Sequence, residues 1–222
     1  MISALLVALT FFFSCIDDQH EEAFNYLALG DSYTIGESVD KSLRWPVQLV
    51  NRLKEHDIMI NEPKIIATTG WTTDELQTAM DEADIETNYD LVSLLIGVNN
   101  QYRGYPIDQF KEDFKILLEE AIIYAGGDTD KVIVLSIPDY GVTPFGQTKD
   151  PSKIKRELDL YNELKREMTE SAGVKFYNIT EASRIALSEP SLVAADGLHP
   201  SGKMYADWVD AVFVDVLSLL SR

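Results

Sequence analysis

Five turn-forming segments in this 222-residue chain carry residue types that could do chemistry, and each follows an apolar run or precedes a helical one. The first is Gly30-Asp31-Ser32-Tyr33-Thr34-Ile35-Gly36, and the last is Asp196-Gly197-Leu198-His199-Pro200. Between them come Thr68-Thr69-Gly70-Trp71, Gly97-Val98-Asn99-Asn100-Gln101 and Pro138-Asp139-Tyr140-Gly141. Acyl transfer needs parts of this kind: an uncharged hydroxyl nucleophile, a histidine to take its proton, and a carboxylate to orient that histidine. Plainer readings stand beside the chemical one. A serine in a strand-to-helix turn also serves as a helix cap, and asparagines in loops bond to their own backbone. Gly70 also fits a plain turn, Asp196 an Asx-turn, and His199 a helix entry before Pro200.

The elements that must position these residues follow from hydrophobic periodicity. Short apolar runs at Tyr26–Gly30, Ile65–Thr69, Leu91–Gly97, Val132–Pro138 and Val174–Ile179 are expected to be strands. Helical spacing marks Ser42–His56, Thr72–Ala83, Ile107–Ala125, Ser152–Ala172 and Ser201–Leu220. Continuous apolar strands alternating with helices predict a three-layer α/β/α domain from residue 25 to 222, built on a five-stranded, mostly parallel sheet. In such sheets ligands bind outside the carboxyl ends of the strands, where the first four segments fall, and the fifth leads into the last helix.

Composition narrows the function. The chain carries 19 Lys and Arg against 37 Asp and Glu, a formal net charge of −18, with 45% apolar and 10% aromatic residues. That balance supports a buried core and argues against an electrostatic grip on nucleic acid or on an anionic lipid surface. Three histidines, His20, His56 and His199, make no metal-ligand pattern, and no cofactor or metal is implied. His56 at a helix end needs no chemistry, and Glu112, Glu119 and Glu120 read as solvated helix faces.

The segments from Gly30 to His199 resemble the SGNH, or GDSL-type, hydrolase superfamily of esterases and acyl hydrolases, whose sheet is flavodoxin-like. Gly30-Asp31-Ser32 matches its first motif, Gly70 the glycine of its second, Gly97-Val98-Asn99-Asn100 its third, and Asp196-Gly197-Leu198-His199 its last. The resemblance implies Ser32 as nucleophile, His199 as base and Asp196 as its orienting partner. It further implies an oxyanion hole made by the backbone N–H groups of Ser32 and Gly70 and the side-chain amide of Asn99. Asn100 stands where the family usually has Asp, so a different pattern of loop hydrogen bonds is expected there. Implied substrates are small-molecule, lipid or glycan esters: O-acetyl or short-acyl esters, lysophospholipids or thioesters. Tyr102–Tyr105 and Tyr140–Phe145 are expected at the pocket mouth. Two rival readings are a phosphate or flavin binder and a surface glycan-binding lipoprotein with a relict site. Asp31 and the Asp196/His199 pair, which phosphate binding does not need, weigh against the first.

The N-terminus reads differently. Met1–Ser14 is uncharged and apolar, and the single cysteine, Cys15, follows it. Phe12-Phe13-Ser14-Cys15 resembles a bacterial lipobox, which predicts a leader over 1–14, lipidation at Cys15 and an acidic tether over 15–24. The expected product is an exported monomer held on a membrane by its lipid anchor.

Overall fold

The computed structural model describes residues 22–221. The expected leader, Cys15, His20 and most of the acidic tether lie outside the described residues. Five strands form the sheet: β1 (Tyr26–Gly30), β2 (Lys64–Ala67), β3 (Leu91–Leu95), β4 (Val132–Leu135) and β5 (Lys175–Tyr177). Their order is β2-β1-β3-β4-β5, and every pairing among them is parallel. The sheet is therefore wholly parallel rather than mostly so. All five residues of both β1 and β3 are buried, as expected of strands covered on both faces.

The strands stop sooner than their apolar runs. After β4, the N–H of Ile137 leaves the sheet ladder for the side-chain carbonyl of Asn162, at 2.7 Å. The N–H of Ile179, beyond β5, is taken by Ser136 Oγ at 2.8 Å. Side chains replace strand partners there, so apolar residues continue without strand pairing. Gly97 turns the chain after β3 at φ +122°, where an added Cβ would stand 2.8 Å from the Phe110 ring.

The helices are α1 (Ser32–Ile35), α2 (Trp45–Lys54), α3 (Thr73–Glu82), α4 (Val98–Arg103), α5 (Ile107–Tyr124), α6 (Pro144–Gln147), α7 (Pro151–Ser171), α8 (Thr180–Arg184) and α9 (Gly202–Leu220). The long ones lie where periodicity puts them, within a few residues. α2 starts late because Lys41–Leu43 forms a separate 3-10 turn capped by Asp40, which leaves Leu43 exposed. α1, α4, α6 and α8 are too short to show a period, and sequence spacing does not find them. The buried face of α9 includes Met204, Tyr205, Trp208, Val209, Val212, Phe213 and Val216, while Ala211 faces solvent.

α2 packs against α9, and α3, α5 and α7 pack in a row. The chain moves from β1 outward to β2, then crosses back to β3, β4 and β5. The switch point lies between β1 and β3, the place where such sheets open a crevice. Trp45, Trp208, Tyr26, Phe110 and Phe114 are sealed in the core. The Tyr26 hydroxyl and Ser93 Oγ satisfy each other at 2.9 Å. Glu120 is half-buried against Gln77 Nε2, at 2.8 Å, rather than fully solvated. Among the described residues no helix is long and apolar enough to cross a membrane.

Candidate active site

The segment after β1 turns directly into α1, so Ser32 is the first residue of a helix at a strand end. Asp31 caps that helix, its Oδ1 accepting the N–H of Tyr33 at 3.0 Å. The cap is therefore Asp31, and the Ser32 side chain lines a cavity instead. That cavity holds about 180 Å³, and its walls include Ser32, Gly70, Asn99 and His199. Four of the five residues implied for the site thus share one space. The fifth, Asp196, reaches it through His199: Asp196 Oδ2 lies 2.6 Å from His199 Nδ1.

The Asp196 carboxylate is held from several directions. Oδ1 accepts the N–H of Leu198 at 2.9 Å and of His199 at 3.0 Å, closing an Asx-turn on its own segment. Oδ2 also accepts from Ser38 Oγ at 2.7 Å. Burial alone would raise the carboxyl, but the bonds from His199, Ser38 and the two backbone N–H groups outweigh it and hold Asp196 well below the usual carboxylate range. Ser38 makes its bond from a left-handed backbone at φ +65°, an uncommon conformation for a non-glycine residue. The edge of the Tyr33 ring backs His199, with ring centres 6.0 Å apart.

Across the cavity, α4 grips the loop that follows β2. Arg103 Nη2 donates to the carbonyl of Gly70 at 2.6 Å and Nη1 to Glu75 at 3.2 Å. Asn99 Nδ2 donates to the carbonyl of Trp71 at 2.8 Å, which engages one of its two amide protons. Gly70 adopts φ +92°, a conformation side-chain-bearing residues avoid. Asn100 is sealed and bonds to Thr73 twice.

Beneath this loop face lies a lysine that sequence reasoning missed. Lys165 of α7 is fully buried, and its Nζ donates to the carbonyls of Ile96 and Leu135, at 2.9 Å each. Both carbonyls lie at the carboxyl ends of strands. Burial pushes the Lys165 ammonium down and the Asp31 carboxyl up, and each charge partly relieves the other. Its spacing held the signal: Ile154, Leu158, Tyr161, Lys165 and Thr169 form one buried stripe of α7.

The aromatic segments expected at the mouth do gather there. Tyr102, Tyr140 and Phe145 stand with ring centres 6.1 to 6.5 Å apart, and all three line the cavity. Phe145 N–H also donates to the carbonyl of Gly197 at 2.9 Å, tying this wall to the Asp196 turn. No residue of the lining carries a full charge other than a protonatable His199. Chemically, the arrangement offers a hydroxyl, an oriented imidazole and an amide held on the Trp71 carbonyl around a largely apolar space.

Comparison with known proteins identifies the family and the fold. Residues 28–206 match the model of the GDSL-like lipase/acylhydrolase family. An acetylxylan esterase from Geobacillus stearothermophilus is 30% identical over 139 residues, which cover 60% of this chain and 62% of that protein. An arylesterase from Vibrio mimicus is 24% identical over 198 residues, 88% of each chain. Among solved structures, the Geobacillus acetylxylan esterase Axe2 superposes with a TM-score of 0.65 at 20% identity, covering 87% of this chain and 94% of that one. The psychrotrophic esterase EstA from Pseudoalteromonas sp. does so at 0.67 and 16% identity, covering 89% and 99%. With the family match spanning most of its length, the chain belongs to the GDSL-like lipase/acylhydrolase family, and its sheet is the one found in these esterases.

Proposed function

We propose that this chain is a serine hydrolase of carboxylic esters, with Ser32 as nucleophile, His199 as general base and acid, and Asp196 as its orienting partner. The observation that carries this reading is the 2.6 Å contact of Asp196 with a histidine that shares one cavity with Ser32, Gly70 and Asn99. Held well below the usual range, Asp196 is ionised at neutral pH and can only accept. His199 Nδ1 therefore carries the proton, and Nε2 keeps a free lone pair. Ser32 Oγ attacks the ester carbonyl carbon as its proton passes to Nε2, and the carbonyl π electrons move onto oxygen. That oxygen is met by the backbone N–H groups of Ser32 and Gly70 and by the second amide proton of Asn99. Collapse expels the alcohol, which takes the proton from Nε2 and leaves an acyl ester on Ser32. Water then repeats the cycle and releases the acid.

Short-acyl esters of uncharged alcohols, O-acetylated glycans or aryl alcohols, are the proposed substrates. The small, apolar, uncharged cavity supports this choice, and so do the similar proteins that are an acetylxylan esterase and an arylesterase. The test is hydrolysis of nitrophenyl esters of graded acyl length beside acetylated xylo-oligosaccharide, a lysophospholipid and an acyl thioester. Turnover should peak at the shortest chains and vanish in Ser32→Ala. A preference for long acyl chains would replace the short-acyl assignment with a lipid one.

The proposal extends to the N-terminus, on sequence alone: the leader 1–14 is removed, and Cys15 is acylated, so that the hydrolase is exported and membrane-anchored. Cys15→Ala should release the protein from the membrane fraction. Mass spectrometry finding Met1–Ser14 intact on mature protein would end that part.

A further inference from the structure

Asn100, Thr73 and Asp113 form a chain of hydrogen bonds behind the Gly70 loop, and the direction of that chain can be read from the donors. Asn100 and Thr73 are both sealed from solvent. The N–H of Thr73 can only donate, and it points at Asn100 Oδ1 at 3.1 Å. The other end of the same amide, Nδ2, must then donate to Thr73 Oγ1, 2.7 Å away. With one lone pair of its hydroxyl so engaged, Thr73 sends its own proton onward to Asp113 Oδ2 at 2.9 Å. Asp113 Oδ1 in turn accepts from Gln109 Nε2 at 2.7 Å. The side chains of Asn100, Thr73 and Asp113 thus bond one another in a single direction, from amide to hydroxyl to carboxylate.

We infer that Asn100 is a positioning residue for the reaction proposed above, matched to Asp113 through the one proton of the Thr73 hydroxyl. Thr73 opens α3 two residues after Trp71, whose carbonyl fixes Asn99. Asn100 neighbours Asn99 on α4. The pair Asn100–Thr73 thus sets the spacing between α4, which bears the Asn99 amide, and the loop that bears the Gly70 N–H, both oxyanion donors in that reaction. Asn100→Asp would set two carboxylates around one hydroxyl proton, and one of them would lose its donor inside the protein. Asp113→Asn is the milder change: the new amide turns its Oδ1 to the Thr73 hydroxyl and its Nδ2 to Gln109, whose exposed side chain turns its own Oε1 to meet it. Together the two changes reverse both bonds of the hydroxyl without removing either. Thr73 Oγ1 then donates to the carboxylate at position 100 and accepts from the amide at position 113. The Thr73 N–H and Gln109 each still find an oxygen.

The experiment is the full cycle of wild type, Asn100→Asp, Asp113→Asn and the double variant. Each is measured for kcat and KM on nitrophenyl acetate and for melting temperature. Asn100→Asp should lose about tenfold in kcat with KM little changed, because the oxyanion donors shift while the cavity walls stay, and Asp113→Asn should stay near wild type. The double variant should recover most of the loss in both kcat and melting temperature. An Asn100→Asp variant that keeps wild-type kcat, assayed well below its melting temperature, would overturn the positioning role. A double variant no better than Asn100→Asp would overturn the matched direction. A wild type that cleaves no ester defeats the hydrolase reading and the positioning role with it, and the melting temperatures still decide the direction of the chain.

Discussion

On one side of the cleft, Asn99, Asn100 and Arg103 reach from α4, which follows β3, into the Gly70–Thr73 loop that follows β2, and Asn100 and Thr73 are sealed from solvent. On the other side, the Asp196–His199 turn closes mainly on itself. Asp196 accepts from Leu198 and His199, and the Ala194 N–H donates to the carbonyl of His199 at 2.7 Å. Ser38 and Phe145 tie that turn to distant parts of the chain. The donors that would stabilise charge are thus built into the sheet's edge, where they cannot shift without disturbing the core. The group that would carry the proton rides on a surface turn with its own geometry. Substitutions on the α4 side should therefore cost stability as well as turnover, and those on the turn chiefly turnover.

Ser32→Ala, which touches both sides, should have the largest effect: kcat should fall by about 10⁵–10⁶-fold while the melting temperature stays near wild type. Substantial remaining turnover would move the nucleophile elsewhere.

Asp196→Asn comes next, with kcat lower by roughly 10³–10⁴-fold because the imidazole loses its oriented tautomer. It carries a stability signature too. The folded-state carboxyl of Asp196 lies below its unfolded value, so its contribution is present above about pH 4 and drains away as the pH falls through the folded value. The gap in stability between wild type and Asp196→Asn should accordingly narrow on acidification below pH ~4. A gap that stays constant with pH would mean that the turn draws nothing from the ionised carboxylate.

On the α4 side, Asn99→Ala should lower kcat by about 10²–10³-fold and also lower the melting temperature, since the Trp71 carbonyl loses its donor. Loss of turnover with unchanged melting would erase the contrast between the two sides.

Lys165→Met sharpens the same contrast. It leaves the carbonyls of Ile96 and Leu135 without this donor and Asp31 without its nearby cation, so it should cost about 3 kcal/mol of stability. That corresponds to roughly 6–12 °C in melting temperature for a chain of this size. The smallest effect belongs to Ser38→Ala, which removes one of several bonds to Asp196 and should reduce kcat/KM about fivefold with no measurable change in melting.

Much of this is legible in the sequence. The strands announce themselves because a buried parallel sheet needs unbroken apolar runs, and the turn residues after each run mark where ligands meet it. Ser32, Gly70, Asn99 and His199 could be placed at one edge from that rule and the family motifs together. What escaped has a common cause: its meaning arises only when distant segments touch. Ser38 reads as an ordinary polar residue until folding sets it against Asp196, 158 positions away. Arg103 looks like a helix-end cation until its guanidinium is seen on the Gly70 carbonyl. Short helices such as α1 and α4 have too few residues to display a period, though they carry Ser32 and Asn99. Lys165 was readable in principle, but lysine at a core position contradicts the usual solvation of ammonium groups, so its place on the α7 stripe carried no weight.

The three tryptophans differ in exposure. The indoles of Trp45 and Trp208 are fully sealed, whereas Trp71 is partly open to solvent on the loop that α4 holds. A collisional quencher such as acrylamide therefore reaches Trp71 and leaves the other two emitting. The quenchable fraction of the intrinsic fluorescence is a label-free optical signal from the loop that bears Gly70, available without dyes, engineered probes or a substrate.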